Sequence, residues 1–105
     1  MLLHSDTNNF NNDVMNSKHL VLVDFFATWC GPCQMLGPIL ENFSKETSDI
    51  DIVKVDIDSC GDLAIKYDIE AVPTLILFKN GTEIDRTLGF LDENELKNFI
   101  NKYKE

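Results

Sequence analysis

The chain has 105 residues, of which 44% are hydrophobic and 26% charged, and its formal net charge at pH 7 is −9. This length predicts one domain over residues 1–105 with a modest core, and the composition is typical of a soluble globular protein. The negative charge argues against nucleic acid and anionic membrane surfaces as partners, because both repel an acidic protein.

The number of cysteines and the N-terminal residues indicate the cellular compartment of the protein. The three cysteines form one close pair and one single residue, which suits a reducing compartment better than a secreted domain stabilised by disulfides. Met1-Leu2-Leu3 lacks the basic flank and the long apolar stretch of a signal peptide, and no segment approaches transmembrane length. We therefore expect a cytoplasmic protein.

The N-terminal part of the chain predicts a short strand and then a helix. Residues 1–4 are a candidate strand, and Ser5-Asp6-Thr7 offers capping side chains for a helix over about residues 7–17. Phe10 and Val14 would share one face of that helix. Five asparagines between residues 8 and 16 lower its helix propensity.

The next segment predicts a buried strand followed by an amphipathic helix. Residues 20–27 are apolar at every position except Asp24, as is typical of a central strand covered on both faces. A helix is expected from Pro32 to about Thr47, with a kink at Pro38. Its apolar residues recur at helical spacing: Met35, Leu36, Ile39, Leu40 and Phe43.

The second half of the chain predicts three more strands and two helices. Residues 50–57 alternate with β-branched side chains and indicate a strand, whereas residues 61–67 indicate a short helix. Asn80-Gly81 predicts an antiparallel hairpin of strands 74–79 and 82–88. A last helix begins near Asp92. Its buried stripe is Leu96, Phe99, Ile100 and Tyr103. This order of elements predicts an α/β protein with a mixed sheet between helices.

Trp29-Cys30-Gly31-Pro32-Cys33 lies at the junction of the central strand and the helix that follows it. Two cysteines at this spacing in the first turn of a helix place their sulfurs on one face and can close a small disulfide. The helix N-terminus favours a thiolate there and lowers its pKa. Gly31 permits a tight turn, and Pro32 fits the first helical turn. The segment therefore suits dithiol–disulfide exchange, with Gly31 and Pro32 tuning the pair.

A zinc site and an inert structural disulfide are the alternative interpretations of the cysteine pair. A structural zinc site needs four ligands, but the other candidates, Cys60, His4 and His19, are scattered along the chain. We expect both histidines to be surface residues. A structural disulfide in so small a loop removes little entropy from the unfolded chain. The strand–CxxC–helix context favours a redox pair.

Three stretches of the sequence resemble the thioredoxin family. They are Val-Asp-Phe-Phe-Ala-Thr-Trp-Cys-Gly-Pro-Cys ending at Cys33, Ala-Val-Pro-Thr-Leu around Pro73, and Phe-Lys-Asn-Gly before Thr82 with Gly89 beyond it. The resemblance runs nearly end to end, and WCGPC is far more specific than a bare CxxC. It implies the thioredoxin fold, a mixed five-stranded sheet with parallel central strands, an antiparallel C-terminal hairpin and four flanking helices.

The same resemblance implies a function and partners. It implies a redox-active dithiol–disulfide oxidoreductase that reduces disulfides in client proteins through reversible oxidation of Cys30 and Cys33. A thioredoxin reductase would recycle the pair and would hold the flavin and NADPH, so no cofactor or metal is expected on this chain. We expect a monomer that takes part in electron transport and cell redox homeostasis.

Asp24 is the second candidate functional residue. Burial in a central strand removes its hydration, so its pKa should rise and make it a candidate proton acceptor. The resemblance implies that it assists deprotonation of Cys33. The structural alternative is an ion pair with Lys54 in the neighbouring strand, a residue that we also expect to tune the redox pair.

The proposed chemistry assigns different roles to the two cysteines. The Cys30 thiolate attacks a client disulfide, and Cys33 then resolves the mixed disulfide. We expect Cys30 to be the exposed thiol and Cys33 the shielded one. The resemblance implies a cis Pro73 beside the pair, leaving the Val72 backbone to pair with an extended substrate, whereas a trans proline is the commoner case. The expected contact surface is Trp29, Gly31, Pro32, Val72, Pro73, Gly89 and Phe90.

Two other functions are compatible with the same motif. A binding subunit would use the same surface without turnover, and an oxidant or isomerase is disfavoured by Pro32. Gln34 and Phe26 depart from common family residues without removing the chemistry. Glu70 adds negative charge near the expected docking surface. Cys60 is interpreted as an inert free thiol, with a redox-regulatory role as the alternative.

Overall fold

The computed structural model describes residues 1–104 of the chain. Its strands are β1 (Leu2–Ser5), β2 (Leu20–Phe26), β3 (Ile50–Asp56), β4 (Thr74–Lys79) and β5 (Thr82–Leu88). Its helices are a π-helix (Asn11–Met15) and the α-helices α1 (Gly31–Glu46), α2 (Gly61–Lys66) and α3 (Glu93–Asn101). None of these helices is long and apolar enough to cross a membrane.

The five strands form one mixed sheet in the order β1-β3-β2-β4-β5. β3 pairs in parallel with both β1 and β2, whereas β4 pairs antiparallel with β2 and with β5. The predicted sheet, with parallel strands at its centre and an antiparallel hairpin at its C-terminal end, is confirmed. The central position of β2 matters for function because the cysteine motif follows directly from its end.

Helices cover both faces of the sheet. Successive side chains of β2 alternate between the faces, so that Val23 and Phe25 pack on one face and Leu22 on the other. The Leu22 face is covered by apolar side chains of α1 and α3, and the opposite face by the π-helix and α2. Asp24 follows Leu22 at the next position of the α1 face.

The first helix differs from the prediction. Instead of an α-helix over residues 7–17, the chain forms a five-residue π-helix at Asn11–Met15, in which Asn16 N–H donates to Asn11 O over 2.8 Å. The Asp6 carboxylate accepts the Asn9 N–H at 2.9 Å and holds a turn where the helix was expected to begin. Phe10 and Val14 nevertheless pack together into one core cluster, as expected of two residues on one helix face, and both are buried.

The C-terminal elements follow the prediction except at their end. Asn80 and Gly81 both have positive φ, 52° and 79°, as a two-residue type I′ hairpin turn requires. Asp92 caps α3, its side chain accepting from Glu95 N–H while the Glu95 carboxylate accepts from Asp92 N–H. The helix ends at Asn101, so Tyr103 packs on the core from beyond it.

Candidate active site

The cysteine pair occupies the N-terminus of α1. Cys30 is the N-cap residue, and its sulfur accepts a hydrogen bond from the Cys33 N–H at 3.2 Å. The two Sγ atoms lie at disulfide distance, with the Cα atoms 5.2 Å apart. Pro32 stands within the first turn of α1, where its missing N–H leaves no helical hydrogen bond unmade. The sulfur of Cys30 therefore lies where backbone N–H groups and the helix dipole stabilise negative charge.

The two cysteines do not differ in exposure in the bonded form. The expected difference concerns the two free thiols of the reduced protein and stays a prediction, whereas Cys30 is 5% exposed and Cys33 is 4% exposed in this bonded geometry. The reason is that the pair packs as a unit on Ala27, with Ile57 and Val72 against it. A difference in reactivity between the two sulfurs must therefore come from their different hydrogen bonds and from the structure of the reduced protein.

The loop before β4 lies directly beside the pair. The Val72–Pro73 peptide bond is cis, as the family resemblance implied, and the Val72 carbonyl oxygen lies 3.7 Å from Cys30 Sγ. Gly89 N–H donates to Pro73 O at 2.8 Å, which brings the end of β5 to the same loop. Buried Thr74 supports the loop by donating its hydroxyl to Ala71 O at 2.6 Å.

Trp29 stands on the surface next to the pair. Its side chain is 68% exposed, and its indole Nε1–H donates to Asp58 Oδ2 at 2.9 Å. Sequence analysis did not identify Asp58, which follows β3 at a separation of 29 residues from Trp29. Nothing in one sequence signals such a contact. The indole forms one wall of a groove of about 250 Å³, whose other lining residues are Ile57, Ile69, Glu70, Ala71 and Val72.

Asp24 is fully buried without a hydrogen-bonding partner. Its exposure is 0%, and neither carboxylate oxygen has a partner within residues 1–104. Burial raises the pKa of this carboxyl from 3.8 to about 7, and the positive charge of Lys54 acts in the opposite direction. The expected rise in pKa is confirmed. A carboxyl with this pKa can accept or release a proton at neutral pH.

The direct ion pair of the structural alternative for Asp24 is not formed within residues 1–104. Asp24 and Lys54 are opposite each other in the register of β2 and β3, but no ion pair forms between them in the part of the chain described. Lys54 Nζ instead lies 4.8 Å from the ring centroid of Phe26. Lys54 also lines a groove of about 340 Å³ with Cys33. Its charge therefore lies beside the redox pair and lowers the pKa of Asp24 by less than burial raises it.

The remaining candidates include residues near the redox pair and residues far from it. Phe90 follows Gly89 and is 37% exposed, whereas Gly31 and Pro32 are exposed next to the sulfurs. His4 and His19 are on the surface, as expected. Cys60 is a free thiol buried in the core. No three His, Cys, Asp or Glu side chains within residues 1–104 are grouped as a metal site would require.

Comparisons with known proteins agree with this geometry. A family model described as Thioredoxin matches residues 1–102. A thioredoxin of Chlamydia pneumoniae is 50% identical over 93 residues, which cover 89% of this chain and 91% of the relative. Thioredoxin-1 of Saccharomyces cerevisiae is 48% identical over 80 residues, 76% of this chain and 77% of the relative. A mitochondrial thioredoxin of Mus musculus is 46% identical over 98 residues, 92% of this chain and 59% of the relative.

Proposed function

Because the chain belongs to the thioredoxin family and is thereby a dithiol–disulfide oxidoreductase, we propose that it reduces client disulfides with Cys30 as nucleophile and Cys33 as resolving thiol. One observation carries the proposal. The two sulfurs lie at disulfide distance at the N-terminus of α1, with a backbone N–H directed at Cys30 Sγ. After reduction this N–H and the helix dipole favour Cys30 as the thiolate.

The first step is attack on the client. The Cys30 thiolate bonds to one sulfur of the client disulfide, the client S–S bond breaks, and the other client sulfur leaves as a thiolate that takes a proton from water. The proximity of Val72 O to Cys30 Sγ, 3.7 Å, supports a role for the Val72 and Pro73 backbone in aligning an extended client segment. Trp29, Gly89 and Phe90 would add apolar contacts around it.

The second step releases the client. Cys33 loses its proton and attacks Cys30 Sγ, so that the Cys30–Cys33 bond forms and the bond between Cys30 and the client sulfur breaks. The client sulfur leaves as a thiolate that takes a proton from water, and the client is then a dithiol that has gained two electrons. Asp24 is the proposed proton acceptor, since its pKa of about 7 suits transfer at neutral pH. Neither Asp24 oxygen has a hydrogen-bonding partner in residues 1–104, so the proton would pass through a water molecule. Lys54 in the Cys33 groove, with Gly31 and Pro32, would tune the pair.

Recycling and setting follow from family membership. Reduction by a thioredoxin reductase is the general behaviour of the family, and we propose the same partner here, with flavin and NADPH bound by the reductase. We also propose a monomeric, single-domain protein over residues 1–105 that transfers electrons in the cytoplasm. Disulfide-containing proteins would be its clients, with nucleic acids and anionic membranes disfavoured by the net charge of −9.

Trapping the mixed disulfide tests the assignment of the two cysteines. The Cys33→Ser variant should accumulate a covalent adduct with a client such as insulin, detected by mass, because nothing resolves it. Cys30→Ser should form no adduct at the active site and lose reductase activity. Cys60→Ala is the matched control and should behave as the wild type. Adducts formed through Cys33 in the Cys30→Ser variant would reverse the assignment.

The same variants separate the proposed function from its alternatives. A binding subunit would keep its function when both Cys30 and Cys33 are replaced by Ser, whereas a reductase loses it. Equilibration of the wild type with a glutathione buffer, read by mass, distinguishes a reductant from an oxidant or isomerase. A pair that stays reduced under conditions oxidising enough to maintain client disulfides would contradict the reductant role.

A further inference from the structure

Two surface grooves, one of which adjoins the redox pair through Trp29 and Val72, meet at Glu70 and Ala71. The Trp29 groove was described above, and the second groove, of about 610 Å³, is lined by Asp68, Glu70, Ala71, Arg86, Thr87 and Leu88. Glu70 and Ala71 line both grooves. Trp29 at 68% and Leu88 at 64% exposure present large apolar side chains, one in each groove. Exposed apolar surface of this kind is typical of a docking site.

Glu70 is the charged group available to a ligand in the Trp29 groove. The other lining residues of that groove are apolar or aromatic. Glu70 is exposed, and no ion pair or side-chain hydrogen bond engages it within residues 1–104. A carboxylate at the edge of an apolar groove attracts a cationic side chain that lies next to an apolar one.

The one cationic group in the second groove is already engaged. The Arg86 guanidinium donates to both carboxylate oxygens of Glu83, at 2.7 and 2.8 Å, and to Tyr67 O at 2.9 Å. Its charge is therefore balanced within the protein and is not free to offset Glu70. Asp68 adds a second negative charge to this groove. The combined surface thus presents net negative charge to anything that lies across it.

Glu70 is close enough to the chemistry to contact the client. It precedes Val72 by two residues, and Val72 O lies 3.7 Å from Cys30 Sγ. An extended client strand advances about 3.3 Å per residue, and Glu70 lines the same groove as Trp29 and Val72, which adjoin the redox pair. A client segment that lies in this groove therefore brings the near neighbours of its cysteine to Glu70. Glu70 can therefore distinguish client proteins by the charge of the residues that flank their disulfide.

We propose that Glu70 selects client disulfides flanked by a lysine or arginine with an adjacent apolar residue. The apolar side chain occupies the Trp29 groove while the cationic group pairs with the Glu70 carboxylate. This inference rests on the proposed reductase function, since the selection is expressed in the rate of disulfide reduction.

Two matched peptides test the selection. Each carries one cysteine in disulfide linkage to the same neutral thiol, and they differ only in a Lys or a Glu two residues from that cysteine. The rate constant for reduction is measured at low ionic strength for the wild type, Glu70→Gln and Glu70→Lys. Each value is divided by the rate of the same variant on a small neutral disulfide, which corrects for changes in thiol reactivity.

We expect the wild type to reduce the Lys peptide about threefold faster than the Glu peptide, the effect of one exposed charge pair. Glu70→Gln should remove most of this preference, and Glu70→Lys should reverse it. Glu41→Lys is the matched control, because it makes the same change of charge at an exposed position of α1 outside both grooves. It should keep the preference. At about 1 M salt the wild-type preference should vanish, because the screening length falls to about 3 Å.

The possible outcomes are distinct. No preference in the wild type, or a preference that survives Glu70→Lys, would overturn the proposal. Equal loss in Glu41→Lys would also overturn it, by showing that the net charge and not Glu70 makes the selection. Failure of the proposed function itself has another signature, in which the wild type reduces neither peptide nor the neutral disulfide faster than Cys30→Ser does.

Discussion

Asp24 is an ionisable residue whose surroundings oppose its charged form. Below about pH 3.8 the carboxyl is protonated in both the folded and the unfolded chain, so burial carries no charge penalty. As the pH rises towards 7 the unfolded chain ionises first, and stability is lost at about 1.4 kcal/mol per pH unit. Above about pH 7 the penalty is constant, on the order of 4 kcal/mol at most. Retaining such a group suits a proton acceptor better than a structural residue.

Replacing Asp24 should change how stability depends on pH. The free energy of unfolding of Asp24→Asn relative to the wild type should rise by about 3–4 kcal/mol from pH 4 to pH 8, because the wild type alone pays the charge penalty. The unpaired amide adds an offset that is the same at every pH. Asp24→Ala, with its small cavity, should show the same pH dependence with a different offset. Denaturant melts at each pH provide the measurement, and a difference that does not vary with pH would contradict a raised pKa.

The hydrogen bond between Trp29 and Asp58 should restrict the rotational motion of the indole ring. Asp58→Ala removes the acceptor of the 2.9 Å bond, so the steady-state fluorescence anisotropy of Trp29, the only tryptophan, should fall. Asp58→Asn keeps an acceptor oxygen and should lose less. The emission of the wild type should also differ between its oxidised and reduced forms, because the indole adjoins the disulfide. Equal anisotropy in Asp58→Ala and the wild type would mean that packing alone fixes the ring.

At the level of single residues, the sequence predicted those site residues that can be recognised from their immediate neighbours in the chain. The cysteine pair and Pro32 lie in one short segment, and Asp24 is anomalous within an apolar strand, so each is visible without a structure. The cis bond at Pro73 came only from resemblance to a family. Asp58 could not be found, because its role depends on a partner 29 residues away and on no pattern around it. The shared exposure of Cys30 and Cys33 depends on packing by Ile57 and Val72, which is equally non-local.

Among the elements, the hairpin turn of β4 and β5 lies close against the end of the π-helix. Gly81 has φ of 79°, and a Cβ built on it would lie 2.8 Å from Met15 O. That oxygen belongs to the backbone at the end of the π-helix and cannot move away as a side chain can. The turn and the π-helix therefore constrain each other, although Met15 and Gly81 are 66 positions apart in the sequence.

Gly81→Ala should lower the free energy of unfolding by about 1–3 kcal/mol, through strain at positive φ and the clash with Met15 O. Gly61→Ala is the matched control, since nothing lies within 4 Å of its added Cβ and its φ is not positive. It should stay within about 0.5 kcal/mol of the wild type. Urea melts with unchanged slopes would show that only stability differs. Equal effects of the two substitutions would remove the contact as the cause.

The elements that sequence predicted best are those with signals inside them. β4 and β5 have the expected bounds because Asn80-Gly81 fixes the turn between two β-rich runs. The α-helix expected over residues 7–17 does not form, because the asparagines there have low helix propensity. The burial of Phe10 and Val14 against the sheet determines which helical conformation the segment adopts instead. Local propensity contains no information about that packing or about the contact with Gly81.

For the whole molecule, the excess of acidic groups is the main electrostatic feature. There are 18 Asp and Glu side chains and 9 Lys and Arg side chains, so pairing each cation with one acid would leave half of the acids without a partner. The cations that do form ion pairs are at or near the surface, as at Lys97 with Glu46 and Glu93 and at Lys104 with Asp49. Exposed pairs of this kind contribute little each. Repulsion among the unpaired carboxylates should therefore outweigh attraction in the folded state at low salt.

The folded protein should accordingly gain stability when salt is added. Raising NaCl from about 0.01 M to 0.15 M shortens the screening length from about 30 Å to 8 Å, and we expect the melting temperature at pH 7 to rise by about 2–5 °C. Asn42→Lys, at an exposed position of α1, adds one positive charge and should reduce this rise. Asn42→Gln is the matched neutral control, because it changes helix propensity in the same direction without adding charge. A melting temperature that falls with salt would mean that the ion pairs of Lys97 and Lys104 contribute more than the repulsion, and scanning calorimetry at both salt concentrations decides between the two.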